Sequence, residues 1–399
     1  MLGLSLPFSS GSFLVSFINM KLRDSKARFG ASAAFVGILM CASVAHMGVA
    51  YAGVGDIRTV AQNGRPGDPT DAGFKIPYSV AVDAAGNIFV ADLIYQRIRK
   101  IDIAGRVTSF AGTGIADFAG DGGPANQARL SSPNGMVFDG SGNLFIADKY
   151  NQRIRKVDTQ GIITTVAGNG TMGFGGDGGL ATEASLYNPL GMAVDSSGNL
   201  FIADSNNYRV RKVDPQGIIT TVAGSGKGGF SGDGGPAISA NLLSPTGVAV
   251  DFAGNLYIAD EYNYRIRKVD TRGVMSTVAG NGTAAFAGDG GPAIAASLNN
   301  PFGICVDGAA NLFIADASND RVRKVDAQGI ITTVAGNGTG DSMVDGTPAT
   351  KAGVAYPTGV ALDGLGNLFI ADLGHLSIRR VEGVAALPTV PHLKKATDR

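Results

Sequence analysis

One six-residue motif returns six times at a constant step, and this period limits what the chain can fold into more than any other feature. NIFVAD ends at Asp92, NLFIAD at Asp148, Asp204, Asp316 and Asp372, and NLYIAD at Asp260, each aspartate 56 residues from the last. Pro77, Pro133, Pro189, Pro245, Pro301 and Pro357 keep the same step. A fixed period of this size means one supersecondary unit stacked on copies of itself, as in a solenoid, a propeller or an array. The content of the unit decides between them. In the third copy, GMAVD at 191–195, NLFIAD at 199–204, RVRKVD at 209–214 and IITTVAG at 218–224 are rich in β-branched and aromatic residues. Turn residues (Gly, Asn, Asp, Pro, Ser) separate them, so each reads as a short strand. No stretch after Gly53 carries a sustained helical stripe.

Four antiparallel strands per unit make a propeller blade, and six units lie within the usual four to eight. The ends of the chain supply an independent check. The TVAG-type fourth strand follows repeats one to five but not repeat six, where the chain runs into VEGVAALPTVP, while an orphan copy, IRTVAQNG at 57–64, precedes repeat one. That copy is expected to supply the outer strand of the last blade, which closes the ring and removes its exposed edges. The predicted fold is therefore all-β: a six-bladed β-propeller of four-stranded antiparallel blades, closed by an N-terminal strand completing the last blade.

Pro-x-Gly-Val-Ala-Val-Asp, then Gly-Asn-Leu-Phe-Ile-Ala-Asp, then Asn-x-Arg-Ile-Arg-Lys-Val-Asp is the pattern of each unit, and it resembles the NHL-repeat family in its bacterial exported form. The resemblance covers roughly residues 53–382. It implies a six-bladed propeller but no single activity, because this fold hosts binders and enzymes alike. Repeat six departs from the pattern, with Ser377 in place of the first arginine of the third strand and His375 where repeats two to five have asparagine.

Outside the repeats, Lys21, Arg23, Lys26 and Arg28 precede an apolar run at 31–50 and the small-x-small site Ala50-Tyr51-Ala52. This is the layout of a signal peptide. Residues 1–52 are read as that segment, with translation expected to start at Met20, a propeller at 53–382 and a flexible tail at 383–399. The mature protein is expected to be exported, periplasmic or extracellular, with no stable membrane span once the leader is cleaved, and monomeric. Lys+Arg and Asp+Glu balance at 33 each, which argues against a nucleic-acid surface. Glycine, at 59 residues, is about twice the usual ~7%, yet 44% hydrophobic residues are ample for a core, so the excess does not signal disorder. Two cysteines, Cys41 and Cys305, exclude a disulfide scaffold and a cysteine zinc cluster. Cys305 stands in a first-strand slot that is alanine in four other repeats, and reads as a small core residue.

Aspartates recur after strands one, two and three, at Asp83, Asp92, Asp102 and their equivalents. A metal collar is the functional reading. The structural one, which is preferred, has them accept backbone hydrogen bonds in turns and pair with Arg97, Arg153, Arg209, Arg265 and Arg321. The Arg-x-Arg-Lys strand is then an inter-blade salt-bridge element. The connection from strand four to the next blade carries one aspartate (Asp121, Asp177, Asp233, Asp289), too few oxygens for a calcium loop. It also carries one phenylalanine (Phe118, Phe174, Phe230, Phe286), expected to tuck into its blade. No cofactor or metal is assigned.

Function needs asymmetry, so candidate site residues are those that differ between matched repeats. Tyr78, Asn134, Leu190, Thr246, Phe302 and Thr358 enter the innermost strand and should surround one mouth of the channel. Tyr95, Tyr150, Tyr208, Glu261, Tyr262, Tyr264, Asp320 and His375 lie in the turn after strand two, on the same face. The candidate ligand-binding face comprises Tyr78, Asn134, Tyr95, Tyr150, Tyr208, Tyr262 and Tyr264. Exposed tyrosines with varied polar neighbours suit recognition of a protein or a polysaccharide of the cell envelope. A binding or scaffold module is the preferred expectation. The alternative is a metal-dependent lactonase- or lyase-like enzyme with its site in the channel, against which three glutamates and two histidines after the leader stand as thin stock.

Overall fold

The computed structural model describes residues 55–62 and 73–385. The segment read as a signal peptide, and the expected tail beyond residue 385, lie outside them. Six antiparallel sheets follow in order, and in the third the strands are Pro189–Val194, Leu200–Asp204, Arg209–Val213 and Ile219–Ala223, hydrogen-bonded each to the next. Blade six is built from Pro357–Leu362, Leu368–Asp372 and Ser377–Val381, and its outer strand is Asp56–Gln62 from the start of the ring. Ile57 pairs with Val381 and Gln62 with Ser377, so the closure expected from the orphan TVAG copy is present. A two-residue strand, Thr347–Pro348, adds a fifth, outermost member to this sheet.

Why the NLFIAD motif is so constant follows from its two faces. Side chains alternate across a strand, so Leu200 and Ile202 point to one neighbouring blade while Phe201 and Ala203 point to the other. The first pair packs with Ala147, Ile154 and Ala167 of blade two. On the other face Ala193, Ala203 and Ala223 receive Val248, Leu256 and Ile258 of blade four. A large face meets a small one at each junction, and one apolar cluster lies between each pair of adjacent blades. The cluster of Ala61, Phe369, Ala371 and Ile378 with Val80, Ile88 and Val90 joins blade six to blade one. Each buried Leu, Ile or Val contributes about 1.5–3 kcal/mol on burial.

The innermost strands of blades two to six pack tightly because each carries glycine two residues after its proline. A Cβ at Gly191 would overlap the carbonyl of Thr246 in the next blade, and the same holds for Gly247 against Phe302. The channel narrows there, then widens to an apolar cavity of about 280 Å³ lined by residues such as Ala81, Val137, Ala193 and Cys305. Cys305 thus lies on the channel wall, where burial pushes its thiol pKa up and keeps it protonated. The start of the tail is docked, since the amides of Val384 and Ala385 both donate to the carbonyl of Gly366, 3.0 Å away in each case.

Two expectations about the repeated polar residues are corrected. The buried aspartate after strand two pairs with the second arginine of Arg-x-Arg, not the first: Arg155 with Asp148, Arg211 with Asp204, Arg267 with Asp260 and Arg323 with Asp316, each at 3.2 Å. The same guanidinium reaches the loop aspartate, for example Asp177 at 2.7 Å, so the ion pair clamps a loop onto the blade that follows it and does not bridge two blades. The loop aspartate is further held by a threonine, Thr221 Oγ1 donating to Asp177 at 2.6 Å. Arg209, the first arginine, donates to the carbonyls of Asn207 and Ser225 at 3.1 and 2.9 Å. The loop phenylalanine does not enter the core. Phe174 lies under both guanidiniums, 3.8 Å from Arg209 and 4.8 Å from Arg211, and stays 46% exposed.

Candidate functional site at the channel mouth

The first strand starts, and the second ends, on the same face: Pro133 faces Asp148 across the ladder and Pro245 faces Asp260. Residues just after these aspartates therefore stand beside those just before the prolines, as Glu261 beside Ser244, at the end of the channel where the innermost strands begin. Tyr78, Asn134, Thr246, Phe302 and Thr358 line a cavity of about 70 Å³ there. Tyr78 and Phe302, two blades apart, meet edge to face with centroids 5.3 Å apart. Thr358 Oγ1 donates to the Tyr78 carbonyl at 2.7 Å and Thr246 Oγ1 to the Phe302 carbonyl at 3.2 Å, so both hydroxyls lace neighbouring blades together. Asn134 is 3% exposed and its Nδ2 has no hydrogen-bond partner. Leu190 is buried in the same ring position.

On the rim the first residue after each aspartate differs in every blade but two: Leu93, Lys149, Ser205, Glu261, Ala317 and Leu373. Lys149 and Glu261 occupy this position on blades two and four, with Ser205 between them. Ser244 Oγ donates to Glu261 Oε2 at 3.1 Å and lies 3.2 Å from Ser205 Oγ. Glu261 is 6% exposed, and burial pushes its carboxyl up to about 7 against the opposing pull of Ser244, Tyr262 and Lys149. Burial likewise lowers the Lys149 pKa, partly offset by Glu261. Tyr78 feels Glu261, Tyr356, Tyr262 and Tyr150, and burial above all holds its phenol protonated well beyond the usual range. One carboxyl, one ammonium and four phenols thus share one mouth.

Of the tyrosines singled out in the sequence, Tyr150 and Tyr262 stand exposed on this rim, at 58% and 50%, and Tyr95 is exposed on blade one. Tyr208 and Tyr264 are half-buried in left-handed backbone (φ 53° and 54°), and the Tyr208 ring lies against Gly228. They belong to the turns more than to the mouth. Asp320 is committed to the backbone amide of Tyr356, at 2.8 Å. Lys149, Ser205, Ser244 and Tyr356 were not singled out. Lys149 carried the signal that picked out Glu261, variation at one repeat position, but its electrostatic influence on a residue two blades away has no trace in sequence spacing.

His375 does a different task. In blades two to five the asparagine at this position donates to the buried aspartate, as Asn207 Nδ2 does to Asp204 at 2.8 Å. His375 Nδ1 takes over that bond to Asp372 at 2.9 Å, and this bond raises its pKa. The folded state then holds the proton more tightly than the unfolded chain. The stabilisation is complete below the unfolded value of about 6.5 and is lost as pH rises through the raised folded value. The wild type is expected to lose melting temperature relative to His375→Asn between pH 5.5 and pH 9, and a pH-independent difference between the two would refute this role.

Comparison with known proteins agrees with this architecture. Residues 114–173, 172–229, 227–286 and 282–344 match the Teneurin NHL domain, and together they make up more than half of the chain. The chain belongs to the NHL-repeat family of propellers. It is 29% identical over 342 residues to Teneurin-4 of Mus musculus, an alignment covering 76% of this chain and 12% of that one. With NHL repeat-containing protein 2 of Bos taurus it shares 29% over 292 residues, 65% of this chain and 40% of the other. The chain therefore spans only a small part of the teneurins' length. Among solved structures, an auxiliary nutrient binding protein from Bacteroides ovatus superposes with a TM-score of 0.58 at 14% identity, covering 82% of this chain and 76% of that one. A streptogramin B lyase gives 0.50 at 14%, covering 81% and 96%. One is a binding protein and one a lyase, so the shared fold does not choose between activities.

Proposed function

We propose that this chain is an exported NHL propeller that acts as a binding or scaffold module, taking a protein or carbohydrate ligand of the cell envelope on its mouth-side rim. The observation that carries the reading is the gathering of Tyr150, Tyr262 and Tyr356, all exposed, on the one face where the blades stop being alike. Rigid, half-apolar side chains of this kind supply contact area at low entropic cost and dominate many recognition surfaces. The remaining conspicuous charges are committed to structure: the buried arginines to aspartates, and the aspartates after the first strand to their own turns, as Asp195 to the amides of Ser197 and Asn199. Export is supported by the charged, apolar and small-x-small segments that precede Gly53.

The full chain, immobilised, is expected to retain members of a panel of purified envelope polysaccharides and synthetic peptides. Tyr150→Ala and Tyr262→Ala should each weaken that retention about tenfold, with stability unchanged to within about 0.5 kcal/mol, as for other surface substitutions. Retention that both variants leave intact would sink the reading. The enzyme alternative has one observation in its favour, the Glu261 carboxyl held near neutrality at the channel mouth, where a general acid or base is most effective. Among the described residues no group of three or more His, Cys, Asp and Glu is placed to hold a metal ion. Turnover of a lactone or ester, lost in Glu261→Gln, would favour that alternative.

A further inference from the structure

One junction of the inner ring is unlike the other five. A Cβ on the inner-strand glycine of one blade would overlap the backbone of the next, Gly135 on the Leu190 carbonyl, Gly191 on that of Thr246, Gly247 on that of Phe302 and Gly303 on that of Thr358. Blade one carries Ser79 in this position, so its junction with blade two has to admit a side chain where the others close on none. Asn134 is the residue of blade two at that junction. In the same ring position Thr246 and Thr358 each donate to a carbonyl of the next blade. Asn134 does not: it is 3% exposed, and its Nδ2 is shielded from solvent with no hydrogen-bond partner. A buried donor left unmet costs stability, so this amide is placed at a loss to the fold until an acceptor meets it. Rotation about χ2, which is soft in asparagine, turns the amide toward an arriving oxygen.

The cavity that Asn134 and Ser79 line narrows the ligand. None of the residues lining it is charged, and an ion there would go uncompensated, so the group that enters is neutral. Tyr78 and Phe302, packed edge to face, give it apolar walls together with Met136 and Met192. Its volume of about 70 Å³, at roughly 10–15 Å³ for one water, admits about five water-sized atoms. A neutral group of that size, with one acceptor oxygen beside a methyl, is an acetamido group.

We propose that the mouth cavity takes the acetamido group of an N-acetylated sugar, its carbonyl accepting from Asn134 and its methyl against Tyr78 and Phe302. The sugar ring, too large for the cavity, stays outside on the tyrosine-bearing face. This assignment rests on the binding reading above and names the ligand class.

Titration and saturation-transfer NMR of the full chain, with methyl N-acetyl-β-glucosaminide, methyl β-glucoside and N-acetyl-L-alanine methylamide as probes, test it. The N-acetyl sugar is expected to bind at least ten times more tightly than the glucoside, with the acetyl methyl receiving the strongest saturation. Asn134→Leu should abolish that preference without lowering the melting temperature, since Leu190 is buried in the same ring position of blade three. A purely structural asparagine would instead lose stability and leave the preference in place. Ser79→Gly, which lets the junction close, should weaken the N-acetyl sugar about fivefold and leave the glucoside unchanged. Equal affinity for the two sugars, or a preference that survives Asn134→Leu, overturns the assignment. Tighter binding of the methylamide than of the N-acetyl sugar overturns the sugar and puts an acetylated peptide in its place. If polysaccharide or peptide retention still depends on Tyr150 and Tyr262 when no N-acetyl preference is found, the binding reading stands and only the cavity's ligand was wrong. If neither is found, both fail.

Discussion

Arg211→Met is expected to destabilise the protein by about 3–5 kcal/mol, whereas Arg209→Met two residues away costs about 1–2 kcal/mol. Arg211 is fully buried and contacts Asp204 at 3.2 Å and Asp177 at 2.7 Å, and its Nη2 also donates to the Gly175 carbonyl at 3.1 Å. Methionine would leave Asp204 charged and buried, with only the Tyr187 amide and Asn207 Nδ2 as partners. It would also release the loop that Asp177 anchors. Arg209, by contrast, is partly exposed and caps two carbonyls, so its loss removes hydrogen bonds without stranding a charge. Urea midpoints of the two variants measure the difference. Equal losses would mean that the buried pair carries no special share.

Removal of Asp56–Gln62 should have the larger effect still. This strand supplies Ile57 and Ala61 to the clusters on either side of blade six and pairs along the whole of Ser377–Val381. Without it, the third strand of blade six becomes an unprotected edge flanked by exposed apolar faces, the arrangement that invites association between chains. A chain lacking these residues is expected to elute as aggregate. A permuted chain carrying residues 55–62 after residue 385 through a flexible linker should return to a monomer. A shortened chain that stays monomeric with an unchanged melting temperature would show that the ring does not need its latch.

The blades were legible because each NLFIAD copy is buried on both faces, so packing fixes its length, its period and its small-large alternation together. The choice between the two arginines was not legible. Arg209 and Arg211 lie two apart on one strand and point to the same face, so sequence alone does not say which is nearer the rim and which lies under the loop. The phenylalanine was misjudged for the same reason: Phe174 is apolar, but the guanidiniums it covers are what it packs on. The mouth was half legible. Tyr150, Tyr262 and Glu261 stand out as departures from the repeat, but the electrostatic influence of Lys149 on Glu261, or the packing of Tyr78 on Phe302, depends on the curvature of the ring. Tyr208 and Tyr264 have a second role that sequence did not show, since their left-handed φ is a property of the turn they close.

The latch also sets an order of events in biosynthesis. Thr59 donates through its amide to Asp345, 286 positions later, and its strand has no ladder partner until blade six exists. Apart from the two-residue Thr347–Pro348, whose partner is this same strand, every other strand finds a neighbour within its own blade almost as soon as it is made. Contacts this remote in sequence form slowly. The interval before closure is when two such chains, each with one open sector, can exchange first strands, so folding at low local concentration would favour single closed rings.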